Sequence, residues 1–177
     1  MNANIHLEET AMAEFKLKGN PFHTVGALPA VGANAPSFTL TKTDLSEVTL
    51  DDLRGKRIVL NVFPSIDTDV CAASVRRFNV EAGKLADTVV LCASMDLPFA
   101  HKRFCGAEGL DAVIPASDFR HGGFGRAYGV RIADGPLAGL LARSVLVIDA
   151  AGKVVHSQLC PETTEEPDYE SVLASLR

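Results

Sequence analysis

Ile58-Val59-Leu60-Asn61-Val62-Phe63-Pro64-Ser65-Ile66-Asp67-Thr68-Asp69-Val70-Cys71-Ala72-Ala73-Ser74-Val75-Arg76-Arg77-Phe78 is the stretch from which the fold is read. Its opening run is apolar and rich in β-branched residues, which predicts a strand buried on both faces. Pro64 cannot donate to a ladder and ends that strand. Ser65, Asp67, Thr68 and Asp69 then supply residue types that favour turns and helix caps. Beyond them the period changes, with Val75, Phe78, Ala82 and Leu85 recurring at helical spacing. A buried strand thus feeds a short polar loop, and the loop feeds a helix with Cys71 in its first turn. The unpaired amides and the dipole at a helix start favour a thiolate over a thiol, so a cysteine there has a lowered pKa. The alternative is an inert cysteine packed after a turn. Position alone leaves both open.

Working outward, Thr88–Ser94 is a second buried run, and two such runs with a helix between them predict a right-handed βαβ unit with parallel strands. Cys92 lies mid-strand among aliphatics and reads as packing. Pro98 takes the favoured first position of a second helix, which carries Cys105 and closes at Gly106 or Gly109. Val113-Ile114-Pro115 is a short strand. Residues 117–129 are glycine-rich, with one short helix expected around Phe124–Tyr128 and no phosphate-cradle phasing. Arg143–Asp149 is a core strand, Gly152 turns, and Val154–Gln158 pairs back as a hairpin. Pro167 starts a last helix over Asp168–Leu176. Upstream, Phe15–Lys18 and Phe22–Val25 alternate around Gly19-Asn20-Pro21, a hairpin signal that leaves His23 facing solvent. Ser37–Thr41 and Glu47–Leu50 are two more short strands, followed by a helical turn closed by Gly55. Hairpin, βαβ, helix, then ββα is the thioredoxin-like α/β arrangement: a mixed central sheet flanked by helices, with an N-terminal β-hairpin. Residues 1–13 are expected to be an extension without chemistry, and 14–177 one domain.

Composition narrows the function. The chain has 177 residues, 47% of them hydrophobic, and a formal net charge of −5. Neither nucleic acid nor an anionic membrane surface is a natural partner for that charge, and no apolar run is long enough to span a bilayer. No secretory signal is visible, so a cytoplasmic location is expected. The four cysteines are Cys71, Cys92, Cys105 and Cys160. They form no Cys-x-x-Cys and no zinc-type cluster, which leaves packing or redox chemistry. Thr68 stands three residues before Cys71, a spacing that lets it cap the helix and lets its hydroxyl reach the sulfur. Arg143 stands at the entry of a core strand, where an arginine is rarely buried without an anionic partner.

The run Pro64-Ser65-Ile66-Asp67-Thr68-x-Val70-Cys71-Ala72-Ala73-Ser74-Val75 resembles the active-site segment of the bacterial thiol peroxidases, a branch of the atypical two-cysteine peroxiredoxins. Asp96–Ala100, Arg103–Gly109, Ile132–Leu137 and Glu166–Glu170 resemble the same family, in register from about Phe15 to the C-terminus. The resemblance implies that Cys71 is the peroxidatic cysteine and Cys105 the resolving one, joined in an intramolecular disulfide after oxidation. It implies that Thr68 and Arg143 stabilise the reacting sulfur and that Pro64 shields it from water. Hydrogen peroxide and alkyl or lipid hydroperoxides are the implied substrates, thioredoxin the external reductant, and a homodimer the assembly, with no metal or other cofactor. Phe99 and Phe104 are expected either to line a substrate pocket or to belong to the core. Cys160 falls outside the family pattern and is expected to be exposed or half-exposed and non-catalytic. Asp69 replaces the family's usual glycine or proline; a carboxylate there repels a thiolate, and it is expected to point to solvent. Two other readings compete: a general thiol–disulfide oxidoreductase, weakened by the missing Cys-x-x-Cys, and a thioredoxin-fold binding module with vestigial cysteines.

Overall fold

The computed structural model describes residues 11–177. Two strands, β1 (Glu14–Leu17) and β2 (Asn20–His23), form a separate antiparallel hairpin. The remaining strands are β3 (Thr39–Lys42), β4 (Glu47–Thr49), β5 (Arg57–Val62), β6 (Thr88–Ser94), β7 (Ile114–Ser117), β8 (Ser144–Ile148) and β9 (Val154–Leu159). They make one seven-stranded sheet in the order β4-β3-β7-β6-β5-β8-β9. β5, β6 and β7 run parallel, and β8, β9, β3 and β4 add antiparallel neighbours on the two sides. The helices are α1 (Asp69–Ala82), α2 (Pro98–Glu108), α3 (Phe124–Ala127) and α4 (Tyr169–Ala174).

The period of two along β5 sorts the core. Ile58, Leu60 and Val62 face one side, in a cluster with Phe38, Phe124, Tyr128 and Leu141. Val59 and Phe63 face the other, in a cluster with Val75 and Phe78 of α1, Phe104 and Cys105 of α2, and Val172 of α4. Both faces are therefore covered, which is why the central strands read as nearly unbroken apolar runs. The exception, Asn61, lies on the α1 side, and its amide donates to Ser74 Oγ at 3.2 Å. A buried polar group so placed needs that partner.

Several boundaries move from expectation for identifiable reasons. β7 runs on past Pro115 to Ser117: Pro115 stays in register with Cys92 of β6, and antiparallel pairing with β3 takes up Ala116 and Ser117. The last helix begins at Tyr169, with Asp168 as its cap, accepting from Ser171 N at 3.1 Å. The hairpin turns tightly at Lys18 and Gly19, both in the left-handed region with φ of 52° and 80°. It packs across one end of the sheet through Phe15, Phe22, Ile132 and Ala142. His23 on β2 is partly exposed, and its ring pairs with Asp134 at 2.7 Å. The expected extension lies outside the described residues over 1–10.

Candidate active site

The site forms where the C-terminal end of β5 meets the start of α1, beside the start of β8. Thr68 takes the N-cap position of α1 with extended backbone, and Cys71 is the third residue of the first turn. The Thr68 hydroxyl does not make the expected cap: it donates to Ser65 O at 3.0 Å, closing the loop before the helix. It makes no hydrogen bond to the sulfur. Thr68 is exposed together with Asp67 and Asp69, whereas Pro64 is buried beneath the loop. Asp69 faces solvent, as expected.

Cys71 has no exposed surface. Arg143, only 3% exposed, reaches it from the residue before β8. Its Nη2 donates to Cys71 Sγ at 3.3 Å, and its Nε donates to Thr163 O at 2.9 Å. Its Nη1 is buried without a hydrogen-bond partner. A buried guanidinium with one unused face is costly unless something binds there, so this edge of the fork is a ready-made donor for a ligand oxygen. The sequence placed Cys71 and Arg143 in separate elements, and the fold brings them into contact.

Cys105 lies on α2, buried in the same apolar cluster as Cys71. The two sulfurs are not bonded, and all four cysteines are free. Burial pushes the Cys105 thiol up, so it is held protonated while α2 stays folded. Cys92 is packing, as expected: burial pushes its thiol up to about 12, against a weak contact from Asn61 Nδ2 at 3.7 Å. Cys160 corrects the sequence reading. It is only 2% exposed, because its N–H donates to Arg143 O at 2.9 Å, carrying the β8–β9 pairing one residue further and turning the side chain inward. Burial raises its thiol to about 11, with Arg143 acting in the opposite sense. Of the two phenylalanines, Phe104 belongs to the core under the Arg76 guanidinium, and Phe99 stands 62% exposed.

Sequence reasoning missed the polar floor of the site. Asp96, just beyond β6, accepts from Ile66 N at 2.8 Å, Ser65 Oγ at 2.8 Å and Ser94 Oγ at 2.6 Å. Ser94 Oγ also meets His101 Nε2 of α2 at 3.0 Å. The serine proton goes to the carboxylate, so the imidazole donates from Nε2 and its buried Nδ1 keeps a lone pair without a partner. Burial lowers the His101 pKa, opposed by Asp96 and Asp67, and keeps the ring neutral. The one sequence signal was a carboxylate at the exit of a buried strand. Among the described residues, no group of three or more His, Cys, Asp or Glu could hold a metal ion.

Residues 30–173 match the Redoxin family. The chain is 58% identical over 165 residues to the thiol peroxidases of Mycobacterium bovis and Mycobacterium tuberculosis, covering 93% of this chain and 99% of each relative. Among solved structures, a peroxiredoxin-like protein from Aquifex aeolicus superposes with a TM-score of 0.88 at 42% identity, over 93% of this chain and 96% of that one. A thiol peroxidase from Chromobacterium violaceum, 21% identical, has the same fold, with a TM-score of 0.84 over 92% and 95% of the two chains.

Proposed function

Because the chain belongs to the Redoxin family, as one of its thiol peroxidases, we propose that Cys71 is the sulfur that attacks the peroxide and that Cys105 resolves the product. The thiolate of Cys71 forms an S–O bond to one peroxide oxygen as the O–O bond breaks. The other oxygen leaves as an alkoxide or hydroxide and takes up a proton, giving an alcohol or water and a sulfenic acid on Cys71. Once α2 opens, the Cys105 thiol gives up its proton and its sulfur attacks the sulfenic sulfur; the expelled hydroxide takes that proton, leaving the intramolecular disulfide and one water. A dithiol reductant of the thioredoxin type returns both thiols by exchange.

The observation that carries this reading is the divided use of Arg143. One edge is pinned to Thr163 O, one nitrogen rests on Cys71 Sγ, and one buried nitrogen is free. A rigid fork can hold the sulfur with one arm and the peroxide oxygen with the other, in line for displacement. Cys71 is fully covered, so the peroxide enters when the exposed Asp67-Thr68-Asp69 segment shifts. Pro64 keeps bulk water from the sulfur beneath it. The role of Thr68 is carried by its backbone at the helix start, and its hydroxyl serves the loop.

Residues 14–177 act as one domain, without metal or organic cofactor, as a homodimer in a bacterial cytoplasm. Among the described residues no helix is long and apolar enough to cross a membrane. The test is rapid mixing of the reduced protein with one equivalent of peroxide, followed by non-reducing peptide mapping. A single Cys71–Cys105 link is expected. Cys71→Ser should abolish peroxide consumption, and Cys105→Ser should stop at the sulfenic acid. Any other linked pair, or turnover in Cys71→Ser, overturns the reading.

A further inference from the structure

We propose that Glu162 is a positioning residue for the reaction: it locks the N-terminal hairpin onto the 160–164 strap, and that strap fixes the Arg143 guanidinium against Cys71. This rests on the reading of Arg143 given above. The strap leaves β9 with Cys160 N donating to Arg143 O at 2.9 Å. It then lies beside β1: Lys16 N donates to Pro161 O at 2.8 Å, and Thr163 N donates back to Lys16 O at 2.8 Å. Lys16 and Glu162 are thereby bridged in parallel. The carbonyl of the same residue faces the site, because Thr163 O is the acceptor that pins Arg143 Nε at 2.9 Å.

Two backbone bonds alone would let the strap slide along an edge. Glu162 stops that. Its carboxylate accepts from both turn amides of the hairpin, Lys18 N and Gly19 N, each at 3.0 Å. Two successive left-handed residues aim both N–H groups at one anion, and only glycine tolerates the second at φ 80° without strain. Thr164 adds its own N–H at 3.2 Å and its hydroxyl at 3.0 Å. The carboxylate is held at about 2 by the Gly19 amide first, then by Lys18 and Thr164. It stays ionised across the working pH range, so the tie does not itself titrate there.

The consequence is a chain of contact from hairpin tip to reacting sulfur: Gly19, Glu162, Thr163 O, Arg143, Cys71. A guanidinium displaced by about an ångström would lose the alignment of Nη2 on the sulfur and of the unpartnered Nη1, and reaction rates are sensitive to errors of that size.

The experiment is stopped-flow oxidation of the reduced, full-length protein by hydrogen peroxide as a function of pH, for wild type, Glu162→Ala, Glu162→Gln, Arg143→Lys and the double variant Glu162→Ala/Arg143→Lys. Glu162→Ala should lower the second-order rate constant about tenfold and move the midpoint of the pH–rate profile upward; Glu162→Gln, which keeps an acceptor but no charge, should lose about threefold. In the Arg143→Lys background the Glu162→Ala loss should nearly vanish, because the residue acts through the fork. A full tenfold loss in that background, or a Glu162→Ala rate within twofold of wild type with an unmoved pH profile, overturns the inference. Should Glu162→Ala fail to fold, Glu162→Gln decides by the same criteria. If instead Arg143→Lys reacts as fast as wild type, it is the reading of Arg143 that fails.

Discussion

At the scale of single residues, the site asks one arginine to do three things, and lysine can do only one. Arg143 is fixed by Nε, holds the sulfur with Nη2 and offers Nη1. A lysine supplies charge without the planar fork. Arg143→Lys should therefore lower the rate constant with peroxide about a hundredfold, the usual loss when one oriented donor is removed from a reacting centre; stopped-flow mixing reads it directly. The thiols should also separate by environment. Cys92 and Cys160 sit near 12 and 11 by burial, so neither is appreciably ionised at pH 8. Iodoacetamide at that pH, followed by mass mapping, should leave both unlabelled in the native protein and label both after unfolding. Labelling of native Cys160 would mean that the strap beside Arg143 opens readily.

At the scale of elements, the two cysteines proposed to react sit on different helices, Cys71 in the first turn of α1 and Cys105 in the last turn of α2, and on that proposal the helices open before the sulfurs meet. Arg76 of α1 grips Glu108 of α2 through two bonds, of 2.8 and 3.0 Å. Asp67 of the loop meets Arg103 at 2.5 Å. These clasps bracket Cys105, and both lie near the surface, where such pairs are weak and salt-screened. Glu108→Gln should speed disulfide formation about two- to fivefold, with the peroxide step unchanged, and should lessen over-oxidation of Cys71 at high peroxide. A double-mixing measurement with intact-mass detection separates the two steps. Much of this was legible beforehand. The apolar run Ile58–Val62 and the proline at 98 mark a strand and a helix start by local chemistry alone, whereas the choice between Gly106 and Gly109 as the end of that helix falls to Gly109 only in the fold. What stayed hidden depends on contacts distant in sequence. Nothing near Cys160 shows that its amide extends a ladder and turns the thiol inward. Nothing near Glu162 points to amides at 18 and 19. Thr68 looked like a side-chain cap, but the competing carbonyl of Ser65 lies within reach of the same hydroxyl.

At the scale of the whole molecule, a sheet covered on both faces buries several groups that are neutral only while protonated. Burial holds the Cys92 thiol near 12 and the Cys160 thiol near 11, and raises the Tyr128 hydroxyl as well. In the unfolded chain a cysteine releases its proton near 8.5. Between that pH and the folded values the unfolded chain binds fewer protons than the native one, so stability falls as pH rises through this window. Below it the contribution is fully present. For Cys92, fully enclosed between sheet and helices, the span corresponds to a few kcal/mol, on the order of 1.4 kcal/mol per pH unit. Melting under reducing conditions should show the midpoint dropping steadily from pH 9 to pH 11. Cys92→Ala should melt lower than wild type at neutral pH, since it leaves a small cavity and deprives Asn61 Nδ2 of its sulfur contact. Its midpoint should nevertheless fall less steeply with pH, because one buried proton has been removed from the balance. The slope is the deciding quantity, being independent of the cavity. Equal slopes in the two proteins would show that the Cys92 thiol is not what makes the core sensitive to alkali.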